Sequence, residues 1–295
     1  MTRQPRPAPF DGALVIDKPA GRTSHDVVEA ARRLLGFRQI GHLGTLDPIA
    51  TGVLPICLGE ATKLAGYLIA DDKEYEADLV FGVDTDTLDR TGTVVATRPA
   101  DHVTRDALLA ALAARTGEQD QLPPIFSAIK QGGVRMYKRA RAGEEIERTP
   151  RRVRIDRLEL LDFQPPHARI LIACSKGTYV RSIVADLGSD LGAGAHMTEL
   201  RRTRSGAFTL DQACDLDHMD SVRLVPMEQA TRLPVIVSPA ELVPRIRSGL
   251  QLPPEMFSVP PEIYERFQIF DEHSKLVAVA HVEDHRVHYD RVFAP

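Results

Sequence analysis

Residues 41–64 read GHLGTLDPIATGVLPICLGEATKL, and this stretch sets the reading of the whole chain. Gly41, Gly44 and Gly52 let the backbone turn sharply, and Pro48 fixes the bend directly after Asp47, the one carboxylate of 41–52. An apolar run over 53–58 then reads as a strand and 60–70 as a helix. A carboxylate on a stiff loop between regular elements suits a nucleophile or a base. It equally suits a turn aspartate that caps its own backbone. The loop has neither the P-loop lysine nor the G-x-G-x-x-G order of a phosphate cradle. His42 can stack on a base, move a proton, or simply occupy a loop.

Upstream, 12–17 (GALVID) reads as a strand and 18–21 (KPAG) as a turn. Ser24 is placed to cap a helix that carries Val27, Val28, Ala31, Leu34 and Leu35 and stops at Gly36. Downstream, 73–83 alternates polar and apolar residues, with 93–97 expected as its hairpin partner. An alanine-rich helix over 104–115, strands at 153–163 and 168–174, a helix over 178–191 and an extended 197–210 complete this part. Strands mixed with helices, often in hairpins, predict an α+β fold with a mixed sheet. A boundary falls near 225–235. Beyond it, a helix at 239–249 and strands at 264–271 and 275–282 suit a small, mostly β appended domain. Residues 1–10, with three prolines, read as a loose tail.

Hydrophobic residues make up 43% of 295, enough for a real core. No apolar run approaches the roughly 18 residues of a membrane helix, and no apolar stretch near the start suits a secretory signal. Cys57, Cys174 and Cys214 form no C-x-x-C pair, so a reduced, cytoplasmic protein is expected. The net charge of −4 argues against a nucleic-acid partner when taken over the whole chain. Taken by region it does not. Residues 205–295 hold 14 acidic and 8 basic side chains, whereas 130–157 hold 10 basic and 4 acidic, a patch of the kind that binds phosphates.

Tyr75 lies in DKEYEA and Tyr179 in SKGTYVRS. Tyr179 and Arg181 fall where a helix begins, able to pack on a flat ring and pair with a carboxylate, or to serve as a sheet-packed tyrosine and a surface arginine. Arg201, Arg202 and Arg204 beside Leu200 make a solvated basic edge or a phosphate contact. Asp84, Asp86 and Asp89 resemble the start of a calcium loop, but Asp89 and Val95 stand where it needs glycine and glutamate. His281, His285 and His288 fall on strand, turn and strand without a buried carboxylate set, so no metal is expected there.

Several segments together are diagnostic. VIDKPAGRTSHDVV (15–28), 41–64, DKEYEA (72–77), GVDTDTLDRTG (82–92), PPIFSAIKQGGVRMYKRARAGE (123–144), CSKGTYVRSIVADLG (174–188) and HMTELRRTRSGAF (196–208) occur in one order. In this the chain resembles the TruB family of bacterial tRNA pseudouridine synthases. The resemblance implies a pseudouridine-synthase-type, largely antiparallel mixed sheet flanked by helices, a catalytic domain over 11–230, an RNA-clamping insertion at 123–152 and a PUA-like domain over 234–295. It implies isomerisation of uridine-55 in the T loop of tRNA, compatible with assistance to tRNA folding.

By position, Asp47 matches the essential aspartate, Tyr75 the tyrosine that stacks on the target base, and Arg181 the arginine that pairs with the catalytic carboxylate. Tyr179, Leu200 and Lys63 match substrate-binding positions, and His42 the residue that fills the space left by the flipped nucleotide. Lys18, Lys130, Arg135, Lys138, Arg141, Arg201 and Arg202 are expected on the RNA backbone. The reaction needs no cofactor or metal, and a monomer without an obligatory protein partner or a membrane is expected. Asp47 would attack ribose C1′ or uracil C6, or assist an eliminated glycal; Tyr75 is the nearest proton carrier. Other readings are an RNA-binding protein without catalysis, the catalytic subunit of a guide-RNA-directed complex, and a metal-dependent hydrolase.

Overall fold

The computed structural model describes residues 11–69, 72–127, 130–131, 134–136, 139, 144, 147–221 and 224–294. The expected loose tail at 1–10 lies outside the described residues, as does part of the 123–152 insertion.

The chain opens with β1 (Gly12–Lys18) and α1 (Ser24–Leu35), followed by β2 (Ile40–His42) and β3 (Thr51–Leu58). The 60–70 segment divides into a 3-10 turn at Gly59–Leu64 and a single turn of α2 (Ala65–Leu68). Then come β4 (Lys73–Phe81), β5 (Val83–Thr85), β6 (Val94–Thr97), α3 (Arg105–Ala114) and β7 (Gly117–Gln121). Two short strands, β8 (Lys130–Gln131) and β9 (Val134–Arg135), precede the long hairpin of β10 (Arg151–Gln164) and β11 (His167–Cys174). α4 (Val180–Asp190) leads into β12 (Ala195–Ser205), β13 (Phe208–Thr209) and β14 (Ala213–Asp215). The last part holds β15 (Val235–Val237), β16 (Phe267–Phe270), β17 (Leu276–Glu283) and β18 (Arg286–Val292).

One ten-stranded sheet runs β14-β1-β3-β12-β4-β11-β10-β7, with β2 and β13 attached to β3 and β12. Most pairs are antiparallel; β1–β14 and β12–β3 are parallel. The mixed α+β architecture is therefore as expected. The helices pack one sheet face into a core that includes Leu54, Ile56, Leu79, Ile170, Ile183 and Leu187.

At the centre lies β4, where Lys73, Tyr75, Ala77, Leu79 and Phe81 point into the protein. Between them Glu74 and Asp78 face outward; Asp78 meets Arg169 of the adjacent β11, and Glu74 meets Arg157 of β10, one strand further on. The expected hairpin of 73–83 with 93–97 does not form in that way. Gly82, at φ +99°, ends β4, and 94–97 pairs only with β5 in a separate ribbon. β4 instead pairs with β11 and β12, about a hundred residues or more distant in sequence. Period-two alternation announces a strand with one buried face; it does not say which strand lies beside it.

The cap of α1 differs by one residue from the expectation. Thr23 accepts from the Asp26 backbone N–H, and the Asp26 carboxylate accepts from the Thr23 N–H, a capping box. Ser24 is thereby released for another contact described below.

Beyond residue 234, β15-β16-β17-β18 form a second sheet with its own core of Ile246, Phe257, Phe267, Ile269, Ala278 and Val287. The helix expected over 239–249 is a 3-10 turn at Ala240–Leu242 continued by Val243–Arg247. A third apolar cluster joins both parts. Val15, Val53, Leu64 and Leu68 pack in it with Phe270, Leu276, Val279 and Phe293.

Candidate functional site

The loop from Leu43 to Ala50 forms one wall of a cleft of about 650 Å³, facing Tyr75, Tyr179, Arg181 and Leu200. Its sequence explains its rigidity. Leu43, Leu46, Ile49 and Ala50 are buried, so the loop is held by apolar side chains on either side of Asp47. Ser24 donates to the Leu46 carbonyl (3.3 Å) and accepts from the Leu46 N–H (2.9 Å), tying the loop to the start of α1. The Pro48 carbonyl accepts from Gly21 N–H (2.7 Å) and from Lys18 Nζ (3.3 Å). Gly52, at φ +96°, lies so close to β12 that a Cβ would stand 2.2 Å from the Arg202 carbonyl oxygen. These ties leave Asp47 as the loop's carboxylate at the cleft wall.

Arg181, in the first turn of α4, is buried and places Nε 2.9 Å from Asp47 Oδ2. That N–H is not aimed along the contact, so the pair is an ion pair more than an aligned hydrogen bond. Nη1 donates to the Thr87 carbonyl (2.9 Å) and Nη2 to the Phe126 carbonyl (3.1 Å), which fixes the guanidinium. A second carboxylate, Asp89, stands 3.6 Å from Nη1 and is 4% exposed. Its Oδ1 accepts from the Thr87 hydroxyl, the Thr91 N–H and the Thr91 hydroxyl. Leu88 before it adopts φ +62°, a left-handed conformation costly for a bulky residue. Burial raises the Asp47 pKa above the usual carboxylate range; Arg181 opposes this most strongly, and Asp89 adds to the rise. The sequence reading weighed Asp89 only as part of a calcium pattern and missed this contact; its membership in GVDTDTLDRTG was the available signal.

Tyr75 is buried on β4 directly opposite Arg202 of β12. Burial raises its pKa, with the Arg202 guanidinium acting against this, so the phenol stays protonated at neutral pH. A register shift in β12 makes this pairing. If alternation simply continued from buried Met197, Glu199 would point inward and Leu200 outward. The irregularity between Met197 and Glu199 reverses the order, and Leu200 and Arg202 face the cleft side.

Arg202 and Lys18 were expected on the RNA backbone. Both are buried, and their side chains serve the fold. Arg202 is 1% exposed; its Nε donates to the Val53 carbonyl (2.7 Å) and its Nη2 to the Gly44 carbonyl (3.3 Å). Lys18 is fully buried and donates to the Pro19 carbonyl (2.9 Å) as well as to Pro48. A side chain with no exposed surface cannot meet a phosphate, so the correction follows from packing.

Burial pushes the Lys18 amine down to about 8, with Asp47 opposing. Between about pH 8 and 10.5 the unfolded chain therefore binds more protons than the folded one, and stability rises with pH. The denaturant midpoint of the wild type relative to Lys18→Met is expected to climb across that window and to stay level below it. A falling difference would show that the lysine is held by charge pairing instead.

The remaining expected residues divide. Tyr179 lines the cleft; its N–H donates to Gln121 Oε1 (2.7 Å), and Arg151 lies 6.0 Å from its ring centre. Burial raises its pKa, with a Ser127 hydrogen bond opposing. Leu200 lines the cleft as well. His42, half-buried at the end of β2, is not among the cleft-lining residues. Lys63 lies away from the cleft, pairs with Glu60, and donates to the Val292 carbonyl (3.1 Å) of the second sheet. Arg201 pairs with Asp17 at 2.7 Å. Lys138 and Arg141 lie outside the described residues, as do the side chains of Lys130 and Arg135. The basic patch is also less free than its count implied. Arg152 pairs with Glu118, Arg154 with Asp72 and Asp156, Arg157 with Glu74 and Glu159. Such surface pairs are worth about 0–1 kcal/mol each and yield readily to a stronger anion.

Three comparisons bear on the site. A family model described as "TruB family pseudouridylate synthase (N terminal domain)" matches residues 32–180. One described as "tRNA pseudouridylate synthase B C-terminal domain" matches 181–243. Relatives named tRNA pseudouridine synthase B include that of Symbiobacterium thermophilum, 52% identical over 221 residues (73% of this chain, 74% of the relative). That of Opitutus terrae is 46% identical over 234 residues (77% of this chain, 97% of the relative). Among solved structures, a chain of a "Cbf5-Nop10-Gar1 Complex" superposes with TM-score 0.74 at 25% identity, over 99% of this chain and 92% of that one. Among the described residues, no helix is long and apolar enough to cross a membrane.

Proposed function

This chain belongs to the TruB family of pseudouridylate synthases, and from that premise we propose that it converts uridine-55 in the T loop of tRNA to pseudouridine. The observation that carries the reading is the Asp47–Arg181 ion pair at the wall of a cleft shared with Tyr75 and Leu200.

The chemistry asks for little else. The N1–C1′ bond breaks, the uracil turns, a C5–C1′ bond forms, and the proton lost from C5 is balanced by one gained at N1. There is no net redox change and no group is transferred from outside. A uridine stacked in a folded loop must first be extruded, at a cost of a few kcal/mol. Stacking on an aromatic ring returns about 1–3 kcal/mol per base, and the cleft offers Tyr75 and Tyr179 with Leu200 as an apolar wall. Cations at the cleft rim, Lys176 and Arg151 among them, suit the flanking phosphates. His42 fits the gap left in the loop, and Lys63 supports the second sheet instead of touching substrate. An ionised Asp47 serves attack at C1′, attack at C6 and glycal formation alike. Arg181 keeps it ionised, and the protonated Tyr75 phenol stands beside it for proton movement.

The domain assignment that accompanies this reading is a catalytic unit over 11–230, a 123–152 segment that closes on RNA and a C-terminal unit over 234–295. The enzyme works as a single chain in the cytoplasm. Relatives at 46–52% identity named tRNA pseudouridine synthase B weigh more than the 25% likeness to a chain solved with Nop10 and Gar1.

Incubation with an unmodified tRNA transcript, without metal or cofactor, followed by mapping, is expected to place one pseudouridine at position 55. An unmodified T loop, or modification elsewhere alone, overturns the proposal.

A further inference from the structure

The β17–β18 hairpin carries a cluster that plays no part in the cleft. His281 of β17 and His288 of β18 are cross-strand partners, their rings stacked with centres 5.5 Å apart and 21° between planes. Glu283, two residues along β17 and so on the same face, brings Oε2 to 3.7 Å from His281 Nε2. One ligand atom from each of His281, Glu283 and His288 lies within 4.8 Å of the others.

We propose that this hairpin binds a borderline divalent cation of the zinc, nickel or cobalt type through His281, Glu283 and His288. Two imidazoles and a carboxylate are the donor set such ions take, and three protein ligands leave one coordination position for water. The surroundings are arranged as a metal site requires. Asp290 Oδ1 lies 2.9 Å from His281 Nδ1, which places the proton there and leaves Nε2 as the ligand atom. Asp290 is itself held by Arg266, 3.3 Å away at Oδ2. On the other ring, Gln251 Nε2 lies 3.0 Å from His288 Nδ1, an arrangement in which the amide donates and His288 carries its proton on Nε2. Metal binding therefore requires the Gln251 amide to turn over, so that its oxygen accepts the Nδ1 proton and His288 Nε2 is released for the metal. Arg286, the cross-strand partner of Glu283, donates to the Gln251 backbone carbonyl (3.1 Å). Ligand nitrogens around one zinc at 2.0–2.1 Å stand closer than 4.8 Å, so modest side-chain rotation closes the set.

The sequence expected no metal here because His281, His285 and His288 fall on strand, turn and strand without a buried carboxylate set. The fold replaces that trio. Asp284 and His285 form the tight turn, both at positive φ (49° and 57°), and His285 is not part of the cluster. Register supplies Glu283 in its place.

The full chain, freed of any histidine tag, is titrated with zinc chloride by calorimetry and with cobalt(II) by visible absorption. One saturable equivalent per chain and a tetrahedral cobalt spectrum are expected, with a rise in thermal midpoint on zinc addition. His281→Gln and His288→Gln are expected to abolish the equivalent and Glu283→Gln to weaken it. Asp290→Asn is expected to weaken it about 10–100-fold, and His285→Gln to leave it unchanged. The proposal is overturned by the absence of a saturable equivalent, by equal binding in the His281→Gln, His288→Gln double variant, or by loss of binding in His285→Gln. None of these readouts depends on catalysis, so the result stands apart from the tRNA assignment.

Discussion

Asp47→Asn is expected to lower pseudouridine formation by about 10⁴-fold or more while tRNA affinity stays near that of the wild type. The substitution keeps the shape of the side chain and removes its charge and nucleophilicity. The loop around it is held by Ser24, Gly21, Lys18 and Arg202 through hydrogen bonds to its backbone that do not use the carboxylate oxygens. The loop geometry, and with it the cleft, is therefore retained. Release of tritium from C5-labelled uridine in tRNA measures the reaction, and filter binding measures affinity. Turnover within tenfold of the wild type would remove Asp47 from the role of nucleophile.

Removal of the partner charge acts differently. Arg181→Met leaves Asp47 and Asp89 facing one another across a buried space without the guanidinium between them. Breaking a buried pair by deleting one member costs about 3–5 kcal/mol, which corresponds to about 10²–10³ or more in rate if it falls on the reacting state. Its signature is a shift in pH dependence. Arg181 is the strongest influence opposing the rise in the Asp47 pKa, so its loss sends that pKa higher. The reaction needs the ionised carboxylate, and the acid limb of kcat/KM therefore moves to higher pH. Arg181→Lys keeps the charge but cannot reach Asp47, Thr87 and Phe126 at once, so it should fall between. An acid limb that stays in place in Arg181→Met would refute the electrostatic role, whatever the loss in rate. A lowered urea midpoint, expected from the unpaired carboxylates, shows that the variant was folded to begin with.

The residues that face each other in the cleft were named in sequence through the TruB resemblance, because their short motifs occur together in one order. Local features alone left Asp47 as a nucleophile, a base or a turn cap, and Arg181 as a carboxylate partner or a surface arginine. What stayed hidden depends on long-range register. Nothing local in HMTELRRTRSG announces a bulge near Thr198, yet that bulge turns Arg202 inward and makes a buried scaffold cation of one side chain in a run of arginines. Lys18 is hidden for a related reason. Pro19, Ala20 and Gly21 of the KPAG turn are exposed, and only Lys18 turns inward to the Asp47 loop. The charge count of 130–157 misled in the other direction, since facing strands supply carboxylates that sequence distance conceals. For Asp89 the obstacle was a competing pattern that used up the same residues.

The apolar cluster that joins Val15, Val53, Leu64 and Leu68 to Phe270, Leu276, Val279 and Phe293 has a bearing on inheritance. β1 and β3 show one face to the helices and the other to this cluster, and β3 grows directly out of the Asp47 loop. The C-terminal sheet is thus a wall of the catalytic half, not cargo attached to it. Loss of that sheet would expose the apolar side chains of β1 and β3 to water, so it requires polar substitutions on those faces. Where the seam is kept, a change of volume on one side must be answered on the other for the packing to hold.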